Sequence, residues 1–422
     1  MTYRRRILDD RLDEFIPHLG ALAIEGAKGV GKTATAAERS ASTLALDDPA
    51  QRLSLEADPG LITTLTPPVL IDEWQLYPPV WDRVRREVDA GTTGTYIMTG
   101  SATPPSGARI HSGAGRILRL LMRPLSMFER GVESATVSLG ALLAGDRREI
   151  GGATRLSLPD YVDEILRSGF PGIRDLPPRL REAQLDAYLD RVIDRELPEA
   201  GLSVRRTAAL RSWLTAYAAV TSSNASYGVI LDAATGGDAE KPARSTVDGY
   251  REVLTRLFLL DPVPAWAPVA SPLRRLTMGP KHHLVDSALA ARLVGVGKEG
   301  LLVGEHGVAR PRNGTWLGAL FESLVAQSVR VYAEAADASI GHLRTKGAEH
   351  EVDLIVERRD GGIVAIEVKL SPTVEDRDAR HLNWLKRELG DRVIDRVIVT
   401  TGKFAVRRDD GVAVVPLALL GP

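Results

Sequence analysis

Residues Gly26-Ala27-Lys28-Gly29-Val30-Gly31-Lys32-Thr33 follow the spacing G-x4-G-K-[ST] in full. The chemistry of that spacing is phosphate binding. Glycines let backbone N–H groups curl around the β- and γ-phosphates of a nucleotide, and the following helix, entered through Ala34, adds partial positive charge at its N-terminus. Lys32 is placed to bridge the β- and γ-phosphates and the Thr33 hydroxyl to ligate Mg²⁺. A glycine-rich turn that merely joins a strand to a helix is the competing reading. About forty residues on, an apolar run ends in Asp72-Glu73. There Asp72 can hold Mg²⁺ through its water shell, and Glu73 can act as the base that orients or deprotonates an attacking water. Thr99-Gly-Ser101 could bring a polar side chain to the γ-phosphate, with a simple turn as the alternative for Thr99.

These groups need a sheet to hold them. Residues 20–25, 68–72 and 95–100 are short apolar runs, and an alanine-rich helical pattern covers Thr33 to Thr43. Buried strands separated by helices predict an α/β domain with a parallel sheet, spanning 1–130 and closed by Met122–Glu129. Apolar residues at three- and four-residue spacing (Leu185, Tyr188, Leu189, Val192) predict helices over 156–220. Residues 224–265 then read as helix, polar loop, helix and the strand Leu257–Leu260, the order of a winged helix, so 131–304 is expected to be a helical and winged-helix region. The polar stretch Gly297–Asn313 reads as a linker. Beyond it, over 305–422, come a helix (317–333), strands (350–357, 363–370, 396–400) and a helix (374–389), a second α/β unit.

GAKGVGKT, VLIDEWQ, YIMTGSA and GRILRLLMRPLSMFE together resemble the Walker A, Walker B, sensor 1 and core end of bacterial and archaeal AAA-type ATPases that carry a C-terminal domain of unknown function. SGFPG, AYLDRVIDREL, KHHLVDSALAARL, GALFESLVAQSV and EVDLIV followed by IEVKLS extend the resemblance over nearly the whole chain. It implies ATP and Mg²⁺ as ligands and Ser101 as the sensor residue. It also implies a transition-state charge from Arg116, Arg119 or Arg123, acting within the chain or on a neighbour in a homo-oligomer.

A second constellation lies in the C-terminal unit. Glu322 sits on a predicted helix, Asp353 on one strand, and Glu367-Val-Lys369 on the next, where residues two apart share a face. Carboxylates so placed could hold a second Mg²⁺, with the lysine orienting its water. The order helix acid, strand acid, acid-x-lysine resembles the restriction-endonuclease-like PD-(D/E)xK core, although Val352 stands where that pattern commonly has proline. The competing reading is a fold retained without cleavage. Ile363, Ala365, Glu367 and Lys369 should share one face, with the apolar Val364, Ile366, Val368 and Leu370 on the core side, leaving the polar pair in a partly solvated cleft.

Composition bounds the rest. The 422 residues contain no cysteine, which excludes disulfides, thiolate zinc sites and a cysteine nucleophile. No run of about 18 apolar residues occurs, and the N-terminus has no apolar signal region, so no membrane association and a cytoplasmic location are expected. The net charge of -1 excludes a wholly basic nucleic-acid scaffold. Residues 305–422 hold 17 Lys+Arg and 18 Asp+Glu, so any DNA contact must be shared, for instance with the winged-helix candidate and Arg274-Arg275. That module serves equally well to bind a protein partner. His282-His283 reads as a polar strand start, Asp286 as a helix cap, and the scattered tryptophans as core residues. The sequence thus predicts an Mg²⁺-dependent AAA-type ATPase whose C-terminal module acts on or near DNA. The alternatives are a nucleotide-dependent switch that recruits a protein, and an ATP-regulated DNA nuclease in defence or DNA maintenance.

Overall fold

The computed structural model describes residues 3–92, 96–101, 113–146, 149–202, 207–235, 243–266, 279–303, 310–312 and 314–422. The fold is mixed α/β. Near the N-terminus β1 (Ala21–Glu25), β2 (Ser42–Ala45), β3 (Val69–Asp72), β4 (Tyr96–Gly100) and β5 (Ile117–Leu121) form a parallel sheet in the order β2-β3-β4-β1-β5. With β1 beside β4 and β4 beside β3, the loops after all three open at the same edge, where α/β sheets hold ligands.

The period of two divides this sheet between two cores. Leu22, Ile24, Leu70 and Ile97 join the large apolar cluster shared with the helices of the rest of the chain. Ala21, Ala23, Val69, Ile71 and Met98 face Trp74, Trp81 and Val84. Trp213 and Trp266 are also buried, and Trp316 and Trp384 are partly so, in line with core roles. The helical pattern over Thr33–Thr43 is only half realised. The helix is Lys32–Ala37, and Ser42 already belongs to β2, because pairing with β3 overrides local propensity at the sheet edge.

The middle region is helical: Leu158–Arg167, Pro178–Arg191 continued by a π turn at Val192–Glu196, Thr207–Ala219, Tyr227–Ala234 and Arg244–Arg256. The strand expected at Leu257–Leu260 begins late. Leu257 ends the helix and Phe258 turns the chain at φ 57°, so pairing starts at Leu260, which bridges Leu284. Val263 bridges Lys281, giving two antiparallel arms. Arg274-Arg275 lies outside the described residues. Asp286 caps the helix Ser287–Val294 through Ala288 N–H. Within the stretch read as a linker, Lys298–Leu301 is helical and Leu302–Val303 pairs with Arg310–Pro311.

The C-terminal unit opens with the helix Gly314–Ala335. It continues with β6 (Ser339–Arg344), β7 (Glu351–Glu357), β8 (Ile363–Lys369), β9 (Val393–Thr400), β10 (Val406–Arg407) and β11 (Ala413–Pro416), ordered β10-β11-β9-β8-β7-β6. The helix Asp376–Leu389 covers one face, packing Ala379, Leu382 and Leu385 on Ile363 and Ala365, while Val364 and Ile366 face the large core. Both faces of β8 are therefore buried from Ile363 to Glu367. Of the polar pair expected in a partly solvated cleft, Glu367 is buried at 6% exposure, while the Lys369 side chain is 31% exposed.

Asp261, at the start of the first arm, accepts from Arg123 Nε (2.9 Å) and Arg330 Nη1 (2.6 Å), and Arg123 also pairs with Glu334. Burial opposes the Asp261 charge, but the two guanidinium groups outweigh it and hold the carboxyl down at about 2. Removing one partner of a buried pair leaves its counter-charges uncompensated, at a cost of about 3–5 kcal/mol. Asp261→Asn is expected to lower the calorimetric unfolding midpoint by several degrees; an unchanged midpoint would show that the network contributes nothing.

Candidate functional site

The phosphate loop leaves β1 at Gly26, whose φ is 149° and where an added Cβ would lie 2.1 Å from the Met122 carbonyl oxygen. Gly31 sits at φ 104° immediately before the helix Lys32–Ala37. Only glycine takes both positions without strain or collision, which is the physical content of the motif's spacing. Lys32 is buried. Its ammonium donates to the Gly26 (2.8 Å) and Ala27 (2.9 Å) carbonyls, folding over the loop it belongs to. Burial pushes this ammonium down to about 8, against the opposing pull of Glu73 and Asp72.

Thr33, Asp72 and Thr99 converge beside it. Thr33 Oγ1 lies 3.0 Å from Asp72 Oδ1, and Thr99 donates to the same carboxylate oxygen. Mg²⁺ prefers oxygen donors and retains several waters, and one hydroxyl and one carboxylate at this spacing fit that preference. Of the two open readings of Thr99, the side-chain contact to Asp72 favours a place in the site over a simple turn.

Glu73 adopts φ 52°, ψ 44°, a left-handed conformation that costs a non-glycine residue about 1–3 kcal/mol and tends to occur at functional positions. Its Oε2 accepts from Ser101 Oγ (3.3 Å) and from the Gln75 amide. Ser101 is thereby brought to the acid. Gln75, which the sequence reading left without a role, joins them and lies 3.4 Å from Ser101 Oγ. Its signal was its place two residues beyond the acid.

The three arginines separate. Arg116 is half-exposed and paired with Asp89 at 2.8 Å, while Arg119 lies over the Trp81 ring and pairs with Glu25. Arg123 departs from the expectation: its guanidinium is buried and paired with Asp261 and Glu334. Its main-chain oxygen, however, accepts from Arg6 Nη2 (2.7 Å), whose Nη1 donates to Val30 O of the phosphate loop (2.8 Å). Arg6 and its buried partner Glu129 were not found from sequence, because neither belongs to a motif.

Two further groups border the loop. The π turn Val192–Glu196 brings Glu196 to 3.8 Å from the Lys28 ammonium. Beside Lys28 and Gly29 a cavity of about 520 Å³ is lined by Phe170, Ile173, Tyr188 and Arg191. Burial raises the Glu196 carboxyl, partly offset by Lys28 and Arg191. A one-residue bulge in a helix carries no periodic signature, so this placement was invisible in the pattern.

In the C-terminal unit the expected residues do meet, but around an unexpected one. Lys281, 2% exposed at its side chain, donates to Asp353 Oδ1 (2.7 Å) and Glu322 Oε1 (2.9 Å), and lies 3.2 Å from Glu351 Oε1. Lys369 pairs with Glu367 Oε1 (2.8 Å), and Val368 N–H donates to Asp353 Oδ2. Burial, reinforced by the Asp353 charge, pushes both Glu322 and Glu367 up to about 8. Asp353 is held low because Lys281 outweighs its burial. Among the described residues no group of three His, Cys, Asp or Glu is arranged to hold a metal ion. The second Mg²⁺ site expected at Glu322, Asp353, Glu367 and Lys369 is therefore corrected: an ammonium stands among its carboxylates. His282 and His283 are buried and bonded to Ala225 O and Ser323 Oγ.

Residues 19–130 match the family model of an AAA domain. Residues 158–300 and 317–420 match two domains of unknown function, DUF8612 and DUF4143. No curated protein matches the chain. Among solved structures, a Walker-type ATPase of Pyrococcus abyssi is similar at 15% identity and a TM-score of 0.38, covering 69% of this chain and 96% of its own. A Drosophila ORC structure bound to DNA is similar at 14% identity and a TM-score of 0.23, covering 60% and 86%. Among the described residues no helix is long and apolar enough to cross a membrane. The chain carries an N-terminal AAA-type P-loop ATPase domain and a C-terminal DUF4143 domain.

Proposed function

We propose that this protein is an Mg²⁺-dependent ATPase, with Lys32, Thr33, Asp72, Glu73 and Ser101 as its working residues. The observation that carries the reading is the convergence of Thr33, Asp72 and Thr99 oxygens beside Lys32, with Glu73 held next to Ser101 and Gln75. The loop from Gly26 to Ala34 cradles the phosphates through its backbone N–H groups, and Lys32 exchanges its two carbonyl partners for phosphate oxygens. Thr33 and Asp72 would hold Mg²⁺, which would supply positive charge against the charge that develops on the phosphates. Glu73 orients a water and takes its proton as the water oxygen bonds to the γ-phosphorus. The bond to the bridging oxygen then breaks and ADP departs. Ser101 and Gln75 fix the Glu73 carboxylate for that task.

For the rest of the chain, we infer a winged-helix-like module from the three helices over 207–256 followed by the two arms, and a restriction-endonuclease-like unit over 305–422. The second rests on helix, three antiparallel strands, helix and parallel strand, the sequence Gly314–Ala335, β6, β7, β8, Asp376–Leu389, β9. Action on or near DNA follows from that pairing of modules. A nucleotide-dependent switch is favoured by one specific observation: Arg6 touches both Val30 of the phosphate loop and Arg123, which reaches Asp261 and Glu334 beyond the ATPase domain. Nuclease activity is disfavoured in this conformation by the ammonium among the acids.

Two outcomes are expected. Glu73→Gln should slow ATP turnover by orders of magnitude while leaving ATP affinity nearly unchanged, because water activation matters only in the transition state. Lost affinity with retained turnover would reassign Glu73. Because Lys32 titrates near 8 before phosphate arrives, ATP binding should take up protons, increasingly so from about pH 7.5 to 9, and weaken as pH rises through that range. Calorimetry in buffers of different ionisation enthalpy reads this uptake; none in that window would place Lys32 away from the phosphates.

A further inference from the structure

The phosphate loop carries a second lysine, Lys28, whose side chain has no part in the proposed hydrolysis. That side chain is 37% exposed, and its ammonium lies 3.8 Å from Oε1 of Glu196, the last residue of the π turn. The turn belongs to the middle region, which packs closely on the loop at this point. A Cβ added at Gly29 would lie 3.8 Å from Phe170 Cδ1, and one added at Gly31 would lie 3.9 Å from Pro171 Cγ. Arg191, which lines the cavity of about 520 Å³ together with Lys28, stands 3.6 Å from the same Glu196 oxygen.

Neither cation closes a hydrogen bond to that oxygen. Glu196 Oε1 is buried with no hydrogen-bond partner among the described residues, although the loop lysine and Arg191 are both near it. A buried acceptor left unsatisfied costs free energy, so the pair is loosely held. It also sits on a π turn, a backbone form that recurs at functional sites. Lys32 contrasts with Lys28: its ammonium is buried and engaged by two loop carbonyls. Burial is the first cause of the low Lys32 ammonium and the Lys28 charge adds to it, which puts the two ammonium groups within electrostatic reach of each other. The Glu196 carboxyl, raised chiefly by burial, is raised further by the charge of Glu73. Lys28 and Glu196 therefore border the same space as the lysine and the acid of the proposed reaction. A γ-phosphate arriving there offers Lys28 charged acceptor oxygens, which make stronger hydrogen bonds than neutral ones do.

We propose that Lys28 is the cation with which this site distinguishes ATP from ADP, and that it exchanges Glu196 for a γ-phosphate oxygen when ATP binds. Glu196 restrains it while the site is empty. The inference rests on the ATPase reading and adds a specificity-determining pair to it.

The test is calorimetric titration of the full-length chain with ATP and, separately, with ADP, each in the presence of Mg²⁺. Lys28→Ala should lower the ratio of ATP to ADP affinity at least about tenfold, the worth of one hydrogen bond to a charged group, and Lys28→Arg should keep most of the wild-type ratio. Glu196→Gln should raise the ratio, because Lys28 then has no competing carboxylate, and this gain should be absent from Lys28→Ala/Glu196→Gln. An unchanged ratio in Lys28→Ala overturns the proposal. So does a gain from Glu196→Gln that persists in full without Lys28, and so does loss of both nucleotides in Lys28→Ala, which would make the residue a general binding group. A wild-type chain that binds neither nucleotide contradicts the ATPase reading itself, whereas any of the three overturning results beside wild-type binding of both leaves that reading intact.

Discussion

The Asp261 carboxylate is the point on which the assembly of this chain depends. It binds Arg123, which follows the last strand of the nucleotide sheet, and Arg330, from the helix that opens the C-terminal unit. It also starts the arm that meets Lys281, its own backbone N–H donating to His283 O. Buried ions are expensive to desolvate, and they are retained here because each has at least one opposite charge within hydrogen-bond distance. Arg6 extends the chain of contacts to Val30, so phosphate loop, sheet end, arms and C-terminal helix share one charged network. Contiguous hydrogen-bonded networks of this kind are the physical form through which one site can bias another.

Legibility in the sequence followed how local the determinant was. The phosphate loop could be read because its glycines meet a backbone requirement within eight residues, and Asp72 and Glu73 because they end a buried strand. The central strands of the parallel sheet were equally plain from their apolar runs. β2 was lost inside a helical pattern, since four residues at a sheet edge owe their state to a neighbour and not to themselves.

The misses have a common cause. Lys281 meets acids 41 and 72 residues downstream, and Arg123 meets Asp261 138 residues away, distances at which spacing carries no information. The same holds for burial of the Glu367 face. Alternation on β8 correctly separates two faces, but it cannot show that the helix Asp376–Leu389 covers the second one. Acid, acid and lysine were therefore found in sequence, while the fact that decides their chemistry, an ammonium from another part of the chain, was not. A fold-level resemblance does not say which groups occupy a site, and the occupants decide its chemistry.

The central claim is that the loop from Gly26 to Thr33 binds ATP through Lys32. Calorimetric titration of the wild-type chain and Lys32→Ala with ATP and Mg²⁺ tests it most directly. Saturable binding by wild type that is abolished in the variant is the result the account predicts, whereas equal affinity in both would contradict it.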